Sequence, residues 1–542
     1  MTRRKKKIAA SAAIASSPTA TESSAVLTSS HHRAILLLAA VALFIFYAAL
    51  SYLSRGNNAW WYIDFVAEGN VLWGDDAYRY FIARSAWINP DVYWFNFTLP
   101  VAVVADGILT TLANGHLLYA RWLKSALTVV SVFLVYQACI RLQVSRHASA
   151  ISALLLALMP LYFFVSISFF GESWLAVLIS AALYLHVDRK ENIAAVLVSL
   201  MPLVRPEGIF FVAAYSVFAA ARRSWVTAVL PLVAGGIYFF MIILIGPGLE
   251  AYSGWRFEMM KIYEGAQNWY GGPLGRLSKV FFLPWLALAL FGLCLRHASI
   301  MRPFLLAGLA VIAMIVGSVV LKTANFEPRY LAPIMPILAV GFALAMDRIR
   351  VYLLSRRQEK LAIGFVIVMS VSTLVAQFFS VYVFDHIRQY YVDNGELPRE
   401  VVAQPLSMGT YFKGLSGAEI DSYREFAGVV TEMMRVNPGI KTLVVSNFLV
   451  FYFLDPEKMP SDVRVVFAIF GRGRLDSIVG QDKTAGYFAS EPFYGEFALS
   501  PPGSEKNLLL YLDRIPAGDY PYHWRVGDND IFLFNGKLLQ SH

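Results

Sequence analysis

Four groups of ionisable residues lie beside or between long apolar stretches of the sequence, where charged side chains are costly and tend to be functional. Carboxylates in such places can act as general bases or metal ligands, and an arginine can bind a phosphate through two parallel hydrogen bonds. The combination predicts a site that joins acid/base chemistry to phosphate recognition. The groups are Asp75 with Asp76, Glu172, Arg205 with Glu207, and the run from Lys322 to Tyr330, which contains Arg329.

The acidic pair Asp75 and Asp76 has two interpretations. Both residues stand on a turn before a short helix predicted at 76–88, and Asp is favoured as the residue that caps a helix N-terminus. Capping explains one of the two acids well and the second less well. The other interpretation is a general base or a metal ligand placed where a lipid headgroup would lie, although spacing alone favours the cap.

Glu172 and the pair Arg205 and Glu207 also admit a structural and a functional interpretation. Glu172 falls in a short turn between two apolar stretches, either as a solvated loop acid or as a second carboxylate that faces Asp75 across a cavity. Arg205 and Glu207 flank a break in the apolar block 192–220. We expect a buried ion pair that satisfies the broken helix, and this pair can also shape a substrate cavity.

The run from Lys322 to Tyr330 predicts a helix that begins at Pro328, because proline is tolerated where a helix N–H needs no partner. Arg329 and Tyr330 then occupy the first turn, and the start of a helix attracts anions. The pattern fits phosphate contact by Arg329, and it fits equally a side chain that reaches for the membrane interface. The sequence has no nucleotide-binding motif, so a reaction here would draw on a donor carried by lipid.

The elements that must position these residues are membrane-spanning helices. Of the 542 residues, 57% are hydrophobic and 15% are charged, whereas soluble domains have about 25% charged residues. Lipid is therefore the expected solvent, and a span needs roughly 20 apolar residues. The candidates are 34–53, 118–140, 148–170, 172–187, 225–245, 279–295, 303–321, 330–346 and 361–384, and the block 192–220 adds two half-helices. The expected fold is a mostly α, polytopic helical bundle of about 11 spans.

Basic residues mark one side of this bundle, since they concentrate in cytoplasmic loops. Threading the spans alternately places five further basic groups on the side of the N-terminal run Arg3–Lys7: Arg141 with Arg146, Arg189 with Lys190, Arg222 with Arg223, Arg296 with Arg302, and the group Arg348, Arg350, Arg356, Arg357 and Lys360. We therefore expect a multi-pass protein of the inner (plasma) membrane with a cytoplasmic N-terminus. The net charge of +9 is spread over these loops, so it does not indicate nucleic-acid binding.

Three parts of the chain follow from this topology. After residue 385 the share of charged residues rises and no membrane span is predicted. A helix at 420–436 and strands at 441–446, 463–468, 507–512 and 530–534 predict an α/β fold in this region. The parts are a disordered cytoplasmic tail at 1–33, a transmembrane domain at 34–385 with a large outer loop at 54–117, and a soluble extracytoplasmic (periplasmic) domain at 386–542.

Five segments of the transmembrane domain carry a family resemblance: WGDDAYRYFIAR (73–84), YARWLKSALTVVSVFLVY (119–136), GESWLAVLISAALYL (171–185), LVRPEGIFFVAAY (203–215) and PRYLAPIMPILAV (328–340). In this order they resemble the GT-C glycosyltransferases, multispan enzymes that use polyprenyl-phosphate sugars. The nearest branches are the protein mannosyltransferases and the lipid A aminoarabinose transferases. Each motif alone is weak, and the specificity comes from their order and their common side of the membrane.

The resemblance implies roles for particular residues. Asp75 would be the base that deprotonates an acceptor hydroxyl, which attacks the anomeric carbon with inversion. Asp76 and Glu172 would orient the acceptor or a divalent cation such as Mg or Mn. Arg329 would bind the departing lipid phosphate, where charge grows in the transition state. The further substrate-binding residues would be Lys322, Tyr330, Arg121, Arg205 and Glu207, and the acceptor would be a glycolipid, a polysaccharide or a protein.

The sequence also departs from one of these branches. The aminoarabinose transferases have a Lys-Pro-Pro segment late in the first outer loop, and here 94–107 reads WFNFTLPVAVVADG, without a lysine. The donor and acceptor of that branch therefore do not carry over. Two other classes stay open: a transporter or lipid flippase, which the broken helix fits, and a non-catalytic envelope assembly protein that works through its C-terminal domain.

Overall fold

The computed structural model describes residues 30–53, 75–94, 98–254, 283–320 and 328–380, together with short pieces of the C-terminal region. Those pieces are 427–428, 431, 435, 442–445, 453–459, 464–467, 485–488, 522–526 and 529–533. The predicted tail at 1–33 lies almost wholly outside the described residues. The chain divides into two compact units, Met1–Phe46 and Tyr47–His542, and all contacts discussed below lie within the second.

The described part of the predicted transmembrane domain is helical. In chain order the helices are α1 (Ser30–Leu53), α2 (Asp75–Ser85), α3 (Pro100–Leu112), α4 (Leu117–Arg141), α5 (Arg146–Leu158), α6 (Pro160–Ser166), α7 (Gly171–Val187), α8 (Glu191–Leu200), α9 (Gly208–Ala221), α10 (Trp225–Val229), α11 (Val233–Leu244), α12 (Leu283–Cys294), α13 (Arg302–Val320), α14 (Met335–Ser355) and α15 (Glu359–Ser380). Short 3-10 helices at Pro90–Tyr93, Met201–Leu203, Leu230–Leu232, Arg296–Met301 and Pro328–Ile334 connect or extend them.

Four helical segments among the described residues are long and apolar enough to cross a membrane. They are Leu117–Arg141, Trp225–Leu244, Ser299–Gly317 and Arg329–Ser355. Further apolar helices of 10–17 residues lie before, between and after them. One of these, Pro100–Leu112, falls in the predicted outer loop 54–117. The mostly α class is confirmed for this part of the chain, and the total of about 11 spans stays a prediction.

The stretch 148–170 is not the single helix that its hydropathy predicts. The chain leaves the helix at Met159, whose φ of −64° and ψ of 120° are extended, so the stretch divides into α5 and α6. Pro160 causes the division, because a proline ring disfavours helical backbone in the preceding residue and supplies no N–H donor. Proline is tolerated as the first residue of α6, where that donor is not needed.

The apolar block 192–220 folds as a helical hairpin. Helix α8 leads to the 3-10 turn and α9 returns, so that Nη1 of Arg222 at the end of α9 lies 2.8 Å from Oε1 of Glu191 at the start of α8. The predicted break at 205–208 is confirmed by the end of one helix and the start of the next. Gly208 is required there, because a Cβ would overlap the backbone of the preceding turn.

Helices α12 and α14 pack closely through two glycines. A Cβ on Gly292 would overlap the backbone carbonyl of Gly341, and a Cβ on Gly341 would overlap the carbonyl of Ala289. Small residues let membrane helices approach until their backbones touch, which increases dispersion contact where the hydrophobic effect is absent. This contact sets the position of α14 and of the 3-10 helix Pro328–Ile334 that leads into it.

The C-terminal region contains short strands among its described residues. β1 (Thr442–Val445) pairs in parallel with β2 (Arg464–Phe467) and with β3 (Ala485–Phe488), and β4 (Tyr522–Val526) forms an antiparallel pair with β5 (Asn529–Leu533). Strands therefore occur where 441–446, 463–468 and 530–534 predict them. The strand predicted at 507–512 and most of the helix predicted at 420–436 lie outside the described residues, and the class and limits of this domain stay predictions.

Replacing Gly341 by alanine should destabilise the protein by about 1–3 kcal/mol, because the added methyl group overpacks the contact between α12 and α14. Thermal unfolding of the detergent-purified protein measures the loss. Gly364→Ala in α15 is the matched control, since a Cβ at that position meets no atom within 4 Å. Equal stability of the Gly341→Ala variant and the wild type would contradict the packing argument.

Candidate functional site

A buried charged cluster is built around Glu172, the second residue of α7. The residue is wholly buried, and its Oε1 lies 2.6 Å from Nη1 of Arg205 and 3.4 Å from Nε of Arg329. The interpretation of Glu172 as a solvated loop acid is therefore wrong. A carboxylate stays ionised away from water when cations pair with it, so Glu172 and the two arginines form one unit.

Aromatic rings orient the guanidinium groups of this cluster. Cζ of Arg329 lies 4.4 Å from the ring centroid of Phe170, and Cζ of Arg79 lies 5.7 Å from the same centroid. The ring of Tyr330 lies 5.0 Å from Cζ of Arg205. Such cation–π contacts strengthen away from water. A guanidinium group that lies over a ring can still donate its N–H groups to acceptors at its edge.

Arg205 joins Glu172 to the break in the α8–α9 hairpin. Its Nε and Nη2 donate to the two carboxylate oxygens of Glu207 at 3.0 and 2.7 Å, while its Nη1 faces Glu172. The expected ion pair between Arg205 and Glu207 is confirmed, and it is largely rather than wholly buried, with the two side chains 13% and 10% exposed. A glycine precedes Glu172 because space is short: a Cβ on Gly171 would lie 3.3 Å from Cγ of Arg205 and 3.7 Å from Nη1 of Arg79.

Arg329 is buried rather than extended toward a membrane interface. It is 7% exposed and belongs to the 3-10 helix that begins at Pro328, as the sequence predicts. An arginine that reaches for the interface keeps its charged end in water, so that interpretation does not fit. Arg329 instead points its guanidinium group into the cluster around Glu172.

The cluster lies at the helix ends opposite to a set of basic side chains. Helix α7 begins with Gly171 and Glu172 and has 17 residues, and Asp188 follows its last residue, Val187. Nε of Arg141, at the end of α4, and Nζ of Lys190 each lie 3.0 Å from a carboxylate oxygen of Asp188. A helix of this length extends about 25 Å, so the two charged groups stand on opposite sides of the bundle.

The structure describes some of the remaining predicted site residues fully and others only in part. Arg121 is buried near the start of α4. Asp75 and Asp76 are the first two residues of α2, so the helix predicted at 76–88 exists but ends earlier, at Ser85. The side chains of both aspartates lie outside the description, as does the whole of Lys322. The roles of these residues stay predictions.

A second buried ion pair, which the sequence did not predict, lies beside the cluster around Glu172. Nζ of Lys124 on α4 lies 3.0 Å from Oδ1 of Asp106 on α3, and both side chains are 2% exposed. Trp174 on α7 donates its indole N–H to the same oxygen at 2.7 Å. Lys124 also donates to the backbone carbonyl of Phe170 at 3.4 Å. One ion pair thus fastens α3 and α4 to the segment that presents Glu172.

The sequence did contain a signal for this pair. Asp106 stands in an apolar stretch of the outer loop, and Lys124 stands in the predicted span 118–140. An ionisable residue near membrane depth is a site by default. The sequence does not show which acid meets which base, because that depends on how α3 and α4 pack. Arg79 carries the same kind of signal within the acidic motif at 73–84.

The surroundings of Glu172 are those of a counter-ion rather than of a metal ligand. A divalent cation at this carboxylate would stand against Arg205 and Arg329, so these residues do not fit a metal. Within the described residues, no group of three or more His, Cys, Asp or Glu side chains is placed to hold a metal ion. The expected role of Asp76 toward a cation stays a prediction.

Among known proteins, the chain is similar to solved structures at low sequence identity. No family model matches the chain, and no curated protein matches it. The chain is similar to two crystal structures of ArnT from Cupriavidus metallidurans, one bound to undecaprenyl phosphate and one in the apo state, with identities of 16% and 15%. Each match has a TM-score of 0.49 and covers 92% of this chain and 98% of the ArnT chain.

Lys124→Met should destabilise the protein by about 3–5 kcal/mol, because it leaves Asp106 as an uncompensated buried charge. Adding Asp106→Leu should recover most of the loss, since apolar side chains of similar volume can replace a buried ion pair. Unfolding of the detergent-purified variants by heat or denaturant measures both effects.

Arg141→Met is the matched control for this experiment. It breaks an ion pair in which the arginine side chain is 51% exposed, and we expect a loss of about 1 kcal/mol or less. A double variant as unstable as Lys124→Met would contradict the assignment of Lys124 and Asp106 as a mutually dependent pair.

Proposed function

We propose that the chain is a membrane glycosyltransferase of the GT-C type. It transfers a sugar from a polyprenyl-phosphate donor to a lipid, glycan or protein acceptor at the outer face of the membrane, with inversion at the anomeric carbon. The observation that carries the proposal is the convergence of Arg79, Arg205 and Arg329 on the segment Phe170–Glu172 at one end of the helices. This level of the bundle is where the phosphate of a lipid-linked sugar would lie.

The geometry of the cluster supports an anionic ligand. The guanidinium groups of Arg205 and Arg329 meet at Oε1 of Glu172, and that of Arg79 lies over the neighbouring ring of Phe170. The proposed ligand is the phosphate diester of a polyprenyl-phosphate sugar. Arginine suits this ligand because its planar fork of N–H groups matches the spacing of phosphate oxygens.

In the proposed reaction Asp75 is the catalytic base. It takes the proton of an acceptor hydroxyl as that oxygen bonds to the anomeric carbon, and the bond from this carbon to the phosphate oxygen breaks. Negative charge grows on the leaving phosphate. Arginines already held in place stabilise this charge most strongly in the transition state, because they need no reorganisation at that moment.

Glu172 acts in this scheme as the counter-ion that sets the spacing of Arg205 and Arg329. Like charges at close range repel strongly in surroundings of low dielectric, so a shared carboxylate is needed to hold them together before the lipid phosphate arrives. Tyr330 and Glu207 orient Arg205 from two further sides. Lys322 and Arg121 are proposed as additional phosphate contacts, and Asp76 as an acceptor-orienting residue.

Asp75→Asn should lower sugar transfer by about 10²–10⁴-fold, the usual contribution of a positioned base, while binding of undecaprenyl phosphate stays unchanged. Mass spectrometry of envelope glycans and glycolipids from cells that carry each variant measures transfer. Native mass spectrometry of the purified protein measures lipid binding, with undecaprenyl phosphate as the probe.

Glu250→Gln, a change at an exposed acid, is the control for Asp75→Asn and should leave transfer at the wild-type level. Wild-type transfer by Asp75→Asn would overturn the assignment of the base. Movement of a lipid across vesicle membranes without any chemical change would favour a transporter instead.

Arg329→Ala should weaken the binding of undecaprenyl phosphate by about 10-fold or more, because hydrogen bonds between charged groups contribute roughly 1.5–3 kcal/mol. Arg329→Lys should fall between this variant and the wild type, since lysine keeps the charge and loses the paired geometry. Arg222→Ala is the control, at a 44% exposed side chain on the opposite side of the bundle. Unchanged affinity in Arg329→Ala would refute the phosphate contact.

A further inference from the structure

A short turn of the C-terminal region packs on helix α2. The turn spans 453–459 and includes the 3-10 helix Pro456–Lys458. Nη2 of Arg84, in the last turn of α2, lies 2.8 Å from Oδ1 of Asp455, and its Nη1 donates to the carbonyl of Leu454 at 3.1 Å. One arginine therefore binds both a side chain and the backbone of this turn.

The contact is more than an exposed ion pair, which alone would contribute little. The apolar residues Leu454, Pro456 and Met459 are buried beside it. Asp455 is also held within its own turn: its Oδ1 accepts a backbone N–H at 3.3 Å, and its Oδ2 lies 3.3 Å from Nζ of Lys458. The carboxylate is thus pre-oriented toward the arginine.

Helix α2 depends on such contacts for its stability. It has 11 residues, and isolated helices shorter than roughly 12–15 residues are marginal in water. Its C-terminal part lies on α3, where Oγ1 of Thr110 donates to the carbonyl of Ala83 at 3.4 Å and Ala86 sits against Gly107. Arg84 adds a cation near the negative end of the helix dipole, which is favourable.

The same short helix reaches the candidate site from its other half. Arg79 lies over the ring of Phe170 in the buried cluster, whereas Arg84 lies against the C-terminal turn. The helix begins with Asp75 and Asp76. A shift of the turn would therefore move both the proposed base and one of the clustered arginines.

We propose that the turn 453–459 is a clamp that holds α2 where the reaction needs it, with Arg84 and Asp455 as positioning residues. The inference rests on the proposed function, because α2 carries the proposed base. The soluble region then contributes to catalysis without touching the substrate. Loss of the clamp lowers turnover more than donor binding, since Arg205 and Arg329 belong to other elements.

The test compares amide hydrogen exchange in α2 with sugar transfer, using full-length variants in lipid nanodiscs. Arg84→Ala and Asp455→Asn should each speed the exchange of α2 amides and lower kcat by about 5-fold. The donor KM should stay within about 2-fold of wild type, because Arg205 and Arg329, which meet at Glu172, do not lie on α2. Arg84→Lys keeps the cation but not the two-nitrogen contact, so it should recover part of both losses.

Lys458→Ala is the matched control. Lys458 is the second cation that pairs with Asp455, and its side chain is 73% exposed. The variant keeps the contact between Asp455 and Arg84, so the amide exchange of α2 and kcat should stay at wild-type values. The same loss in Lys458→Ala as in Arg84→Ala would overturn the proposal, because the integrity of the turn and not its contact with α2 would then matter.

Three further outcomes separate this inference from the proposed function. Unchanged exchange of α2 in Arg84→Ala overturns the clamp whatever the activity. Faster exchange with unchanged kcat overturns its part in the reaction. If the wild type transfers no sugar from any undecaprenyl-phosphate sugar offered, the proposed function fails, and the exchange rates alone then decide whether the turn holds α2.

Discussion

The described site depends on one buried carboxylate, that of Glu172. Two arginines from distant parts of the chain meet at its Oε1, and without it their charges would repel each other in a region that water does not reach. Buried ion pairs commonly contribute little net stability, because removing the charges from water costs about as much as their attraction returns. The physical effect of Glu172 is therefore geometric: it holds cations at a fixed spacing at one end of the helices, where a single anion can contact more than one of them.

The rest of the packing serves to present this carboxylate. Lys124 and Asp106 hold the start of α7 from one side, and the glycines at 171 and 208 let the hairpin break approach it from the other. The close contact of α12 with α14 sets the position of the 3-10 helix that carries Arg329. Each of these supports uses a small residue or a paired charge, because a membrane interior offers helices no hydrophobic drive to associate with one another.

Among the described residues, helix α2 contacts both the buried cluster and the turn 453–459 of the C-terminal region. It is short, it holds Arg79 toward the cluster and Arg84 toward the turn 453–459, and it begins at the acidic pair. A short helix held by tertiary contacts at both ends transmits a displacement of either partner, since it has little stability of its own. The proposed division of work follows: Arg205 at the hairpin break and Arg329 on the 3-10 helix Pro328–Ile334 bind the lipid phosphate, and the base is brought to them on a separate element.

The sequence by itself determined where most of the apolar helices lie and where the block 192–220 breaks, because apolar length, proline and glycine act locally. The division of 148–170 at Pro160 and the helix Pro100–Leu112 were not predicted. The sequence also indicated which ionisable residues lie beside apolar stretches and are therefore candidate site residues, including Glu172 and Arg329. Only the tertiary structure decided that these two share one buried cluster with Arg205, that Lys124 meets Asp106, and that Arg84 meets Asp455. Such pairings depend on how whole helices pack, and no local pattern of residues encodes which acid a given base will reach.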